Sequence, residues 1–425
     1  MDKIEIFGGK RIKGRVKLSG SKNATLPIMA ATLLTDEPCI IENVPHLSDV
    51  YTMAKLLIAL GKEVKFEDHT LTIKTRSNKS FSAPYKLVRT MRASFCVLGP
   101  LLAKRKKAKV SLPGGCVIGV RPVDLHLKGL NCLGANIKIS GGYCYANPKK
   151  LEGKEVFLGG PFGSSVLATA NVMMASTLAK GETIIDFSAC EPEVVDLARV
   201  LKKMGAEISG EGTPQIRIKG KKSLGGFKHR VISDRIEAGT FIVFSLATGG
   251  EIEIEEISPQ FLGAVIDTLR KMNQKVLVKG FKLYVKRTPK ILPANIVTLP
   301  FPGFPTDLQA QFMVLLSLAK GVSTVTEKVY PDRFMHIPEL NRMGARISRF
   351  REVAIIEGID KFSPAEVMAS DLRASASLVA AGLSASGKTT IHRVYHLDRG
   401  YENFVEKLER LGAVSYTHLT LPTKA

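Results

Sequence analysis

The residue of this sequence best suited to chemistry is a cysteine in a glycine-rich segment. The segment runs Pro113-Gly114-Gly115-Cys116-Val117-Ile118-Gly119-Val120-Arg121-Pro122 between a strand pattern and a helix pattern. Its ten residues exceed the five of the equivalent connection after Asn43, and such length and glycine content are typical of a mobile loop over a site. A small buried apolar role is the ordinary one for a cysteine. A nearby cation such as Arg121 favours the thiolate, so we predict that Cys116 is reactive.

Charged side chains at unusual places form a second group. Arg92, Asp307 and Arg373 lie within or at the head of otherwise apolar helix patterns, and buried charge is tolerated only when it is paired or used. Three more arginines share one position in the pattern, the start of a second helix: Arg121, Arg333 and Arg399. Helix N-termini attract anions. We therefore predict an anion-binding cleft, the alternative being a set of exposed surface arginines.

A unit repeated six times must position these residues. A helix ending of the form Leu/Met-Gly recurs every 68 to 73 residues, at Gly61, Gly134, Gly205, Gly344 and Gly412, with Asn273 in the remaining place. Glycine there suits a left-handed helix cap. Each repeat has an opening helix rich in small residues, a strand, a second amphipathic helix and further strands.

The opening helices are apolar nearly all round, which predicts that they are buried with the sheets outside them. Their predicted spans are 23–34, 90–103, 165–179, 236–248, 307–319 and 371–385. Six such repeats in 425 residues predict an α/β protein of two domains with three repeats each, the seam lying near 220–231.

Composition excludes several classes of protein. No apolar run is long enough to span a membrane, and the charged first residues do not form a signal peptide, so we expect a cytoplasmic protein without membrane insertion. Six cysteines without paired CxxC spacing predict neither a metal site nor disulfides. The net charge of +22 invites a nucleic-acid partner. The densest basic run, 104–109, is short and has no interleaved aromatics, so we interpret it as a solvated turn.

Seven motifs together resemble the UDP-N-acetylglucosamine enolpyruvyl transferase family of the EPSP synthase superfamily. They are Ser19-Gly20-Ser21-Lys22-Asn23-Ala24, Met91-Arg92-Ala93-Ser94, Leu112-Pro113-Gly114-Gly115-Cys116, Arg121-Pro122-Val123-Asp124-Leu125-His126, Phe304-Pro305-Thr306-Asp307, Asp371-Leu372-Arg373-Ala374-Ser375 and Asp398-Arg399-Gly400-Tyr401-Glu402. The resemblance covers residues 1 to about 414, and 415–425 form an atypical tail.

The resemblance implies two inside-out α/β barrel-like domains of three repeats, with buried helices and outer sheets. The first domain would span 22–230, with the Cys116 loop, and the second 1–21 and 231–414. The implied substrates are phosphoenolpyruvate and UDP-N-acetylglucosamine, with no cofactor, no metal and no nucleic acid. Phosphate would be released in the first committed step of peptidoglycan synthesis. Transfer to shikimate 3-phosphate on the same fold, or a noncatalytic basic nucleic-acid-binding protein, remain alternatives.

The family's roles carry over residue by residue. The resemblance implies Cys116, Asp307, Lys22 and Arg399 as catalytic residues, with Cys116 giving a proton to the methylene carbon and Asp307 taking or orienting the proton of the sugar hydroxyl. Lys22, Arg121 and Arg399 would hold the phosphate of phosphoenolpyruvate, and Arg333 and Arg373 its carboxylate. The remaining substrate-binding residues would be Asn23, Arg92, Pro122, Val123, Asp124, Leu125, Gly163, Ser164, Ser165, Val166 and Val329.

Overall fold

The computed structural model describes residues 3–114 and 123–418, with side chains up to residue 414. The described chain divides into two compact units. The N-terminal unit contains 20–114 and 123–232, and the C-terminal unit contains 3–19 and 233–418. The sequence predicted domain limits near residues 21 and 230, and these limits remain a prediction.

The described part of the N-terminal unit has three four-stranded sheets. In spatial order their strands are Phe227–Arg230, Cys39–Glu42, Thr70–Thr75 and Lys62–Glu67; Ser82–Ala83, Ala108–Ser111, Tyr143–Ala146 and Lys138–Ser140; and Glu155–Phe157, Glu182–Asp186, Gln215–Lys219 and Glu207–Ser209. In each sheet the first pair of neighbours is parallel and the next two pairs are antiparallel.

Three sheets with the same pairing occur in the described C-terminal unit. Their strands are Lys13–Lys17, Glu251–Glu255, Lys282–Lys286 and Lys275–Lys279; Asn295–Thr298, Val322–Glu327, Val353–Glu357 and Arg346–Phe350; and Glu366–Met368, Lys388–His392, Lys3–Phe7 and Val414–His418. The first two strands of the chain thus complete sheets of the C-terminal unit. Residues 415–418, part of the tail that lacks the family resemblance, pair with residues 3–6.

Most of the helices pack against these sheets. The α-helices are Lys22–Ala31, Ser48–Ala59, Tyr85–Val88, Leu98–Arg105, Asp124–Cys132, Val166–Ser176, Pro192–Lys203, Arg235–Ala247, Gly263–Lys271, Gln309–Ser317, Ile337–Arg342, Leu372–Ser384 and Phe404–Arg410. Short 3₁₀ segments are Thr32–Leu34, Arg92–Val97, Pro259–Leu262, Thr306–Leu308 and Val394–Arg399. The predicted burial of the opening helices is confirmed. Every residue of Arg235–Ala247 and Gln309–Ser317 is buried, and so are most residues of Lys22–Ala31, Val166–Ser176 and Leu372–Ser384.

The repeat is confirmed by its caps. Gly61, Gly134, Gly205, Gly344 and Gly412 have φ between 87° and 100°, and Asn273 has φ 64°. In this left-handed region glycine carries no Cβ penalty, and asparagine is the next most tolerant residue. The same backbone conformation therefore ends the second helix in all six repeats.

Two expectations were wrong in detail. Arg333 and Arg399 do not begin second helices, because those helices start at Ile337 and Phe404. Arg333 lies in the preceding loop and Arg399 ends a 3₁₀ segment. The basic run is not wholly solvated either: burial lowers the pKa of Arg105, and Lys104 pairs with Asp36. No helix in the described ranges is long and apolar enough to cross a membrane.

Candidate active site

The C-terminal unit brings Asp307 between two arginines. Arg333 Nη1 donates to Asp307 Oδ1 at 2.7 Å, and Arg373 Nη2 donates to Oδ2 at 3.0 Å. The arginine side chains are only 6% and 4% exposed, whereas Asp307 is 28% exposed. The sequence predicted that the buried charges of Asp307 and Arg373 must be paired or used, and this aspartate–arginine triad pairs both, with Arg333 as its third member.

Local sequence explains the position of each member. Asp307 lies in the 3₁₀ turn Thr306–Leu308 that opens the buried helix Gln309–Ser317. Arg373 follows Asp371, whose side chain caps the helix Leu372–Ser384 by accepting from Arg373 N and Ala374 N. Such capping fixes the first turn of a helix, and therefore the backbone from which the Arg373 side chain extends.

Electrostatics keeps Asp307 ionised. Burial by itself would raise the pKa of Asp307, but the charges and hydrogen bonds of Arg373 and Arg333 outweigh it and hold the pKa well below its usual value. A carboxylate held in this way accepts hydrogen bonds readily but is a weak base.

A buried glutamate supports the loop around the triad. Glu327 accepts hydrogen bonds from Thr298 Oγ1 and Thr306 Oγ1, at 2.6 and 2.9 Å, and from the backbone N of Val329 and Tyr330. Thr306 Oγ1 in turn accepts from Arg333 Nη1 at 3.1 Å. Glu327 thus holds both Val329 and the turn that contains Asp307.

Beneath Arg373 lies a buried hydrogen-bonded network. Arg373 Nη1 donates to the Tyr401 hydroxyl at 2.9 Å, and that hydroxyl lies 2.9 Å from Thr240 Oγ1. Thr240 already donates to Ile236 O at 2.8 Å, so Tyr401 must be the donor to Thr240. Gln311 Nε2 donates to Thr240 Oγ1 and to the backbone O of Asp307, both at 3.1 Å. The network therefore ties the arginine and the aspartate to the same polar core.

The N-terminal unit holds its own candidate residues. Lys22 begins the helix Lys22–Ala31 after the N-cap Ser21, and its Nζ lies 3.3 Å from Asp49 Oδ2. Asn23 follows it and is half-buried. Arg92 begins the segment Arg92–Val97. Burial, and then the charge of Arg92, lower the pKa of His126 to about 3.

Two stretches predicted to bind the nucleotide sugar lie near each other in this unit. Leu125 lies in the first turn of Asp124–Cys132, after Val123, and its Cδ1 would be 3.1 Å from a Cβ added at Gly160. Gly160 and Gly163 exchange two backbone hydrogen bonds at 3.1 Å. Ser164 and the N-cap Ser165 follow, and Val166 begins the helix Val166–Ser176. The structure thus brings Leu125 to the start of this stretch.

The remaining candidates are Arg399 and three residues of the glycine-rich segment. Arg399 is half-buried in the C-terminal unit, where its charge, after burial, contributes to lowering the pKa of His396. Cys116, Arg121 and Pro122 lie outside the described residues.

Sequence reasoning gave no role to Glu327, Gln311 and Tyr401. Glu327 could have been found, because alternate residues of a strand share one face and Glu327 falls on the buried face with Ser323 and Val325. Gln311 was detectable as a polar residue inside an apolar helix. Tyr401 lies in the motif that begins at Asp398, but neither its residue type nor its spacing indicated a contact with Arg373.

Comparison with solved structures shows the class of fold. The chain resembles the enolpyruvyl transferase NikO from Streptomyces tendae with a TM-score of 0.88, covering 98% of both chains at 24% identity. It also resembles EPSP synthase from Acinetobacter baumannii, with a TM-score of 0.74 at 20% identity, over 98% of this chain and 100% of that one. The fold is therefore the inside-out α/β fold of enolpyruvyl transferases, as predicted.

Sequence comparison then shows the family. The family model described as EPSP synthase (3-phosphoshikimate 1-carboxyvinyltransferase) matches residues 6–408. UDP-N-acetylglucosamine 1-carboxyvinyltransferase of Methylacidiphilum infernorum is 50% identical over 413 residues, 97% of this chain and 98% of that protein. UDP-N-acetylglucosamine 1-carboxyvinyltransferase 2 of Carboxydothermus hydrogenoformans is 50% identical over 415 residues, with the same coverage. The chain belongs to this enolpyruvyl transferase family, in the branch of the UDP-N-acetylglucosamine 1-carboxyvinyltransferases.

Proposed function

We propose that this chain is a transferase that moves the enolpyruvyl group of phosphoenolpyruvate to the 3'-hydroxyl of UDP-N-acetylglucosamine and releases phosphate. The relatives that carry this activity in their names are 50% identical over 97% of the chain. The observation that carries the proposal to this chain's own site is the aspartate–arginine triad, which places two buried guanidiniums beside a carboxylate.

The charges suit the substrates. Phosphoenolpyruvate carries a carboxylate and a phosphate, and guanidinium groups match both geometrically through paired N–H donors. In this proposal Arg333 and Arg373 bind the carboxylate, and Lys22, Arg121 and Arg399 bind the phosphate. The site of the nucleotide sugar is lined by Arg92, Arg121 to Leu125, Gly163 to Val166, Asp307 and Val329. Asn23 is a further substrate-binding residue.

The reaction proceeds by addition and elimination. The sugar oxygen attacks the enol carbon while Asp307 accepts or orients its hydroxyl proton, and Cys116 donates a proton to the methylene carbon. The resulting tetrahedral ketal loses a methyl proton and phosphate, which restores the carbon–carbon double bond. The surrounding cations stabilise the phosphate as it leaves.

The proposal includes a cellular role. The product is the first committed intermediate of peptidoglycan synthesis, so the enzyme serves cell-wall biogenesis, cell shape and cell division. We place it in the cytoplasm and propose it as a target of the phosphonate epoxide fosfomycin.

A phosphate-release assay tests the proposal. Phosphate should appear only when phosphoenolpyruvate and UDP-N-acetylglucosamine are both present. A parallel reaction with shikimate 3-phosphate is needed because the matching family model is described by that acceptor. Phosphate release with shikimate 3-phosphate, and none with the nucleotide sugar, would assign the chain to the sister activity.

A further inference from the structure

The triad has the form of an occupied carboxylate site. Each oxygen of Asp307 accepts from a different guanidinium, at 2.7 and 3.0 Å. The arginines are almost fully buried, while Asp307 is 28% exposed. A substrate therefore reaches these guanidiniums from the side on which Asp307 lies.

We propose that Asp307 and the carboxylate of phosphoenolpyruvate compete for one site, formed by Arg333 and Arg373, and that Tyr401 positions Arg373 for either carboxylate. The inference rests on the proposed function, because it takes phosphoenolpyruvate as the donor. Beyond that function, the inference makes the Asp307 carboxylate a competitor of the substrate carboxylate and makes Tyr401 a positioning residue.

Competition follows from charge and geometry. Two carboxylates at one pair of guanidiniums repel each other, and each guanidinium nitrogen that binds Asp307 is lost to the substrate. When the substrate carboxylate binds, Asp307 loses the two cations that stabilise its charge. Its pKa then rises towards the ordinary range, which makes Asp307 a better base only while the donor is bound.

The arginines have other partners that keep them in place during this exchange. Arg333 Nη1 also donates to Thr306 Oγ1, and Glu327 fixes that hydroxyl. Arg373 Nη1 donates to Tyr401, which donates onward to Thr240. Because Thr240 donates to the backbone of its own helix, the Tyr401 hydroxyl donates to Thr240, and its oxygen accepts from Arg373, which has only donors. Tyr401 therefore holds the guanidinium whichever carboxylate is bound.

The test uses two nonreactive ligands in the presence of saturating UDP-N-acetylglucosamine. Phospholactate has both the phosphate and the carboxylate, and isopropyl phosphate has the phosphate alone. Calorimetry should show that Asp307→Ala binds phospholactate about tenfold more tightly than the wild type, and Tyr401→Phe about tenfold more weakly. Affinity for isopropyl phosphate should stay within about twofold in both variants.

Two further variants keep the test sharp. Thr240→Val removes the acceptor of the Tyr401 hydroxyl and should weaken phospholactate binding in the same selective way. Tyr395→Phe is the matched control, since Tyr395 is exposed in the neighbouring segment and contacts Arg393 rather than Arg373. It should bind both ligands like the wild type. Thermal unfolding of each variant shows whether it has folded.

Some results would overturn the inference. Unchanged or weaker binding of phospholactate by folded Asp307→Ala excludes competition at the site. Equal loss of both ligands in Tyr401→Phe and Thr240→Val shows a general structural role instead of positioning. Failure of the proposed function is seen separately, as a wild-type chain that releases no phosphate from phosphoenolpyruvate with UDP-N-acetylglucosamine.

Discussion

Arg373 and Asp307, far apart in the sequence, meet through a 3.0 Å hydrogen bond between Nη2 and Oδ2. Each heads a buried opening helix of a different repeat, so the contact joins two repeats of the C-terminal unit at their equivalent ends. The repeat therefore explains why Asp307 and Arg373, which belong to two separate motifs, converge on one site.

Because Asp307 is proposed to accept or orient the proton of the sugar hydroxyl, removing its charge should greatly reduce turnover. Asp307→Asn keeps the shape of the side chain but can no longer accept a proton, so the turnover rate should fall by roughly 10²-fold or more. Binding of the nucleotide sugar and the fold should remain. Steady-state phosphate release measures the rate. Asp332→Asn, which changes an exposed carboxylate nearby, is the control, and near-wild-type turnover in Asp307→Asn would remove Asp307 from the mechanism.

Arg399 should distinguish a guanidinium from a point charge. Arg399→Ala should raise the KM for phosphoenolpyruvate roughly 10- to 100-fold, the scale of a lost hydrogen bond to a charged group. Arg399→Lys should raise it less, because lysine keeps the charge but loses the planar pair of donors. Arg393→Ala serves as a control, since Arg393 is an exposed arginine just before the same segment. Equal effects of Ala and Lys would mean a point charge, and no effect of either would make Arg399 an ordinary surface arginine.

Most of the fold could be predicted because it rests on a local pattern repeated six times. Gly61 and Asn273 occupy the same left-handed cap, and a spacing of this kind is visible without any knowledge of contacts. Tyr401 and Gln311 were not predictable as site residues, because their contacts with each other and with Thr240 join different repeats through side chains. Sequence alone does not specify which polar side chains meet across such distances.

Buried His126 should make stability depend on pH. Its folded-state pKa of about 3 lies below the ordinary value of 6.5, so between these values the unfolded chain binds a proton that the folded chain does not. The contribution of His126 to the free energy of unfolding is therefore fully present above about pH 6.5. Below that pH it falls by about 1.4 kcal/mol per pH unit. Thermal unfolding at pH 7.5, 6.5 and 5.5 should therefore show the wild type losing stability relative to His126→Gln. An unchanged difference between the two proteins across this range would contradict the prediction.

The most selective prediction concerns the thiols. Alkylation requires a thiolate, and burial raises the pKa of Cys39 and Cys144 to about 11, that of Cys96 to about 12, and, to a smaller extent, that of Cys190. Cys132 is half-buried, with its Sγ 3.4 Å from Glu155 O. In the sequence, Cys116 lies in a glycine-rich segment five residues before Arg121, which we propose as a phosphate ligand, and the other five cysteines lack this combination.

Fosfomycin should therefore modify Cys116 alone, because its phosphonate resembles the phosphate of phosphoenolpyruvate and its epoxide reacts with a thiolate. UDP-N-acetylglucosamine should accelerate the reaction if it closes the loop over the thiol. Cys116→Asp keeps a proton donor but has no sulfur, so phosphate release should persist while labelling disappears. Intact mass and peptide mapping after incubation measure the outcome. Labelling spread over several cysteines, or absent from Cys116, would show that this segment is not the catalytic loop.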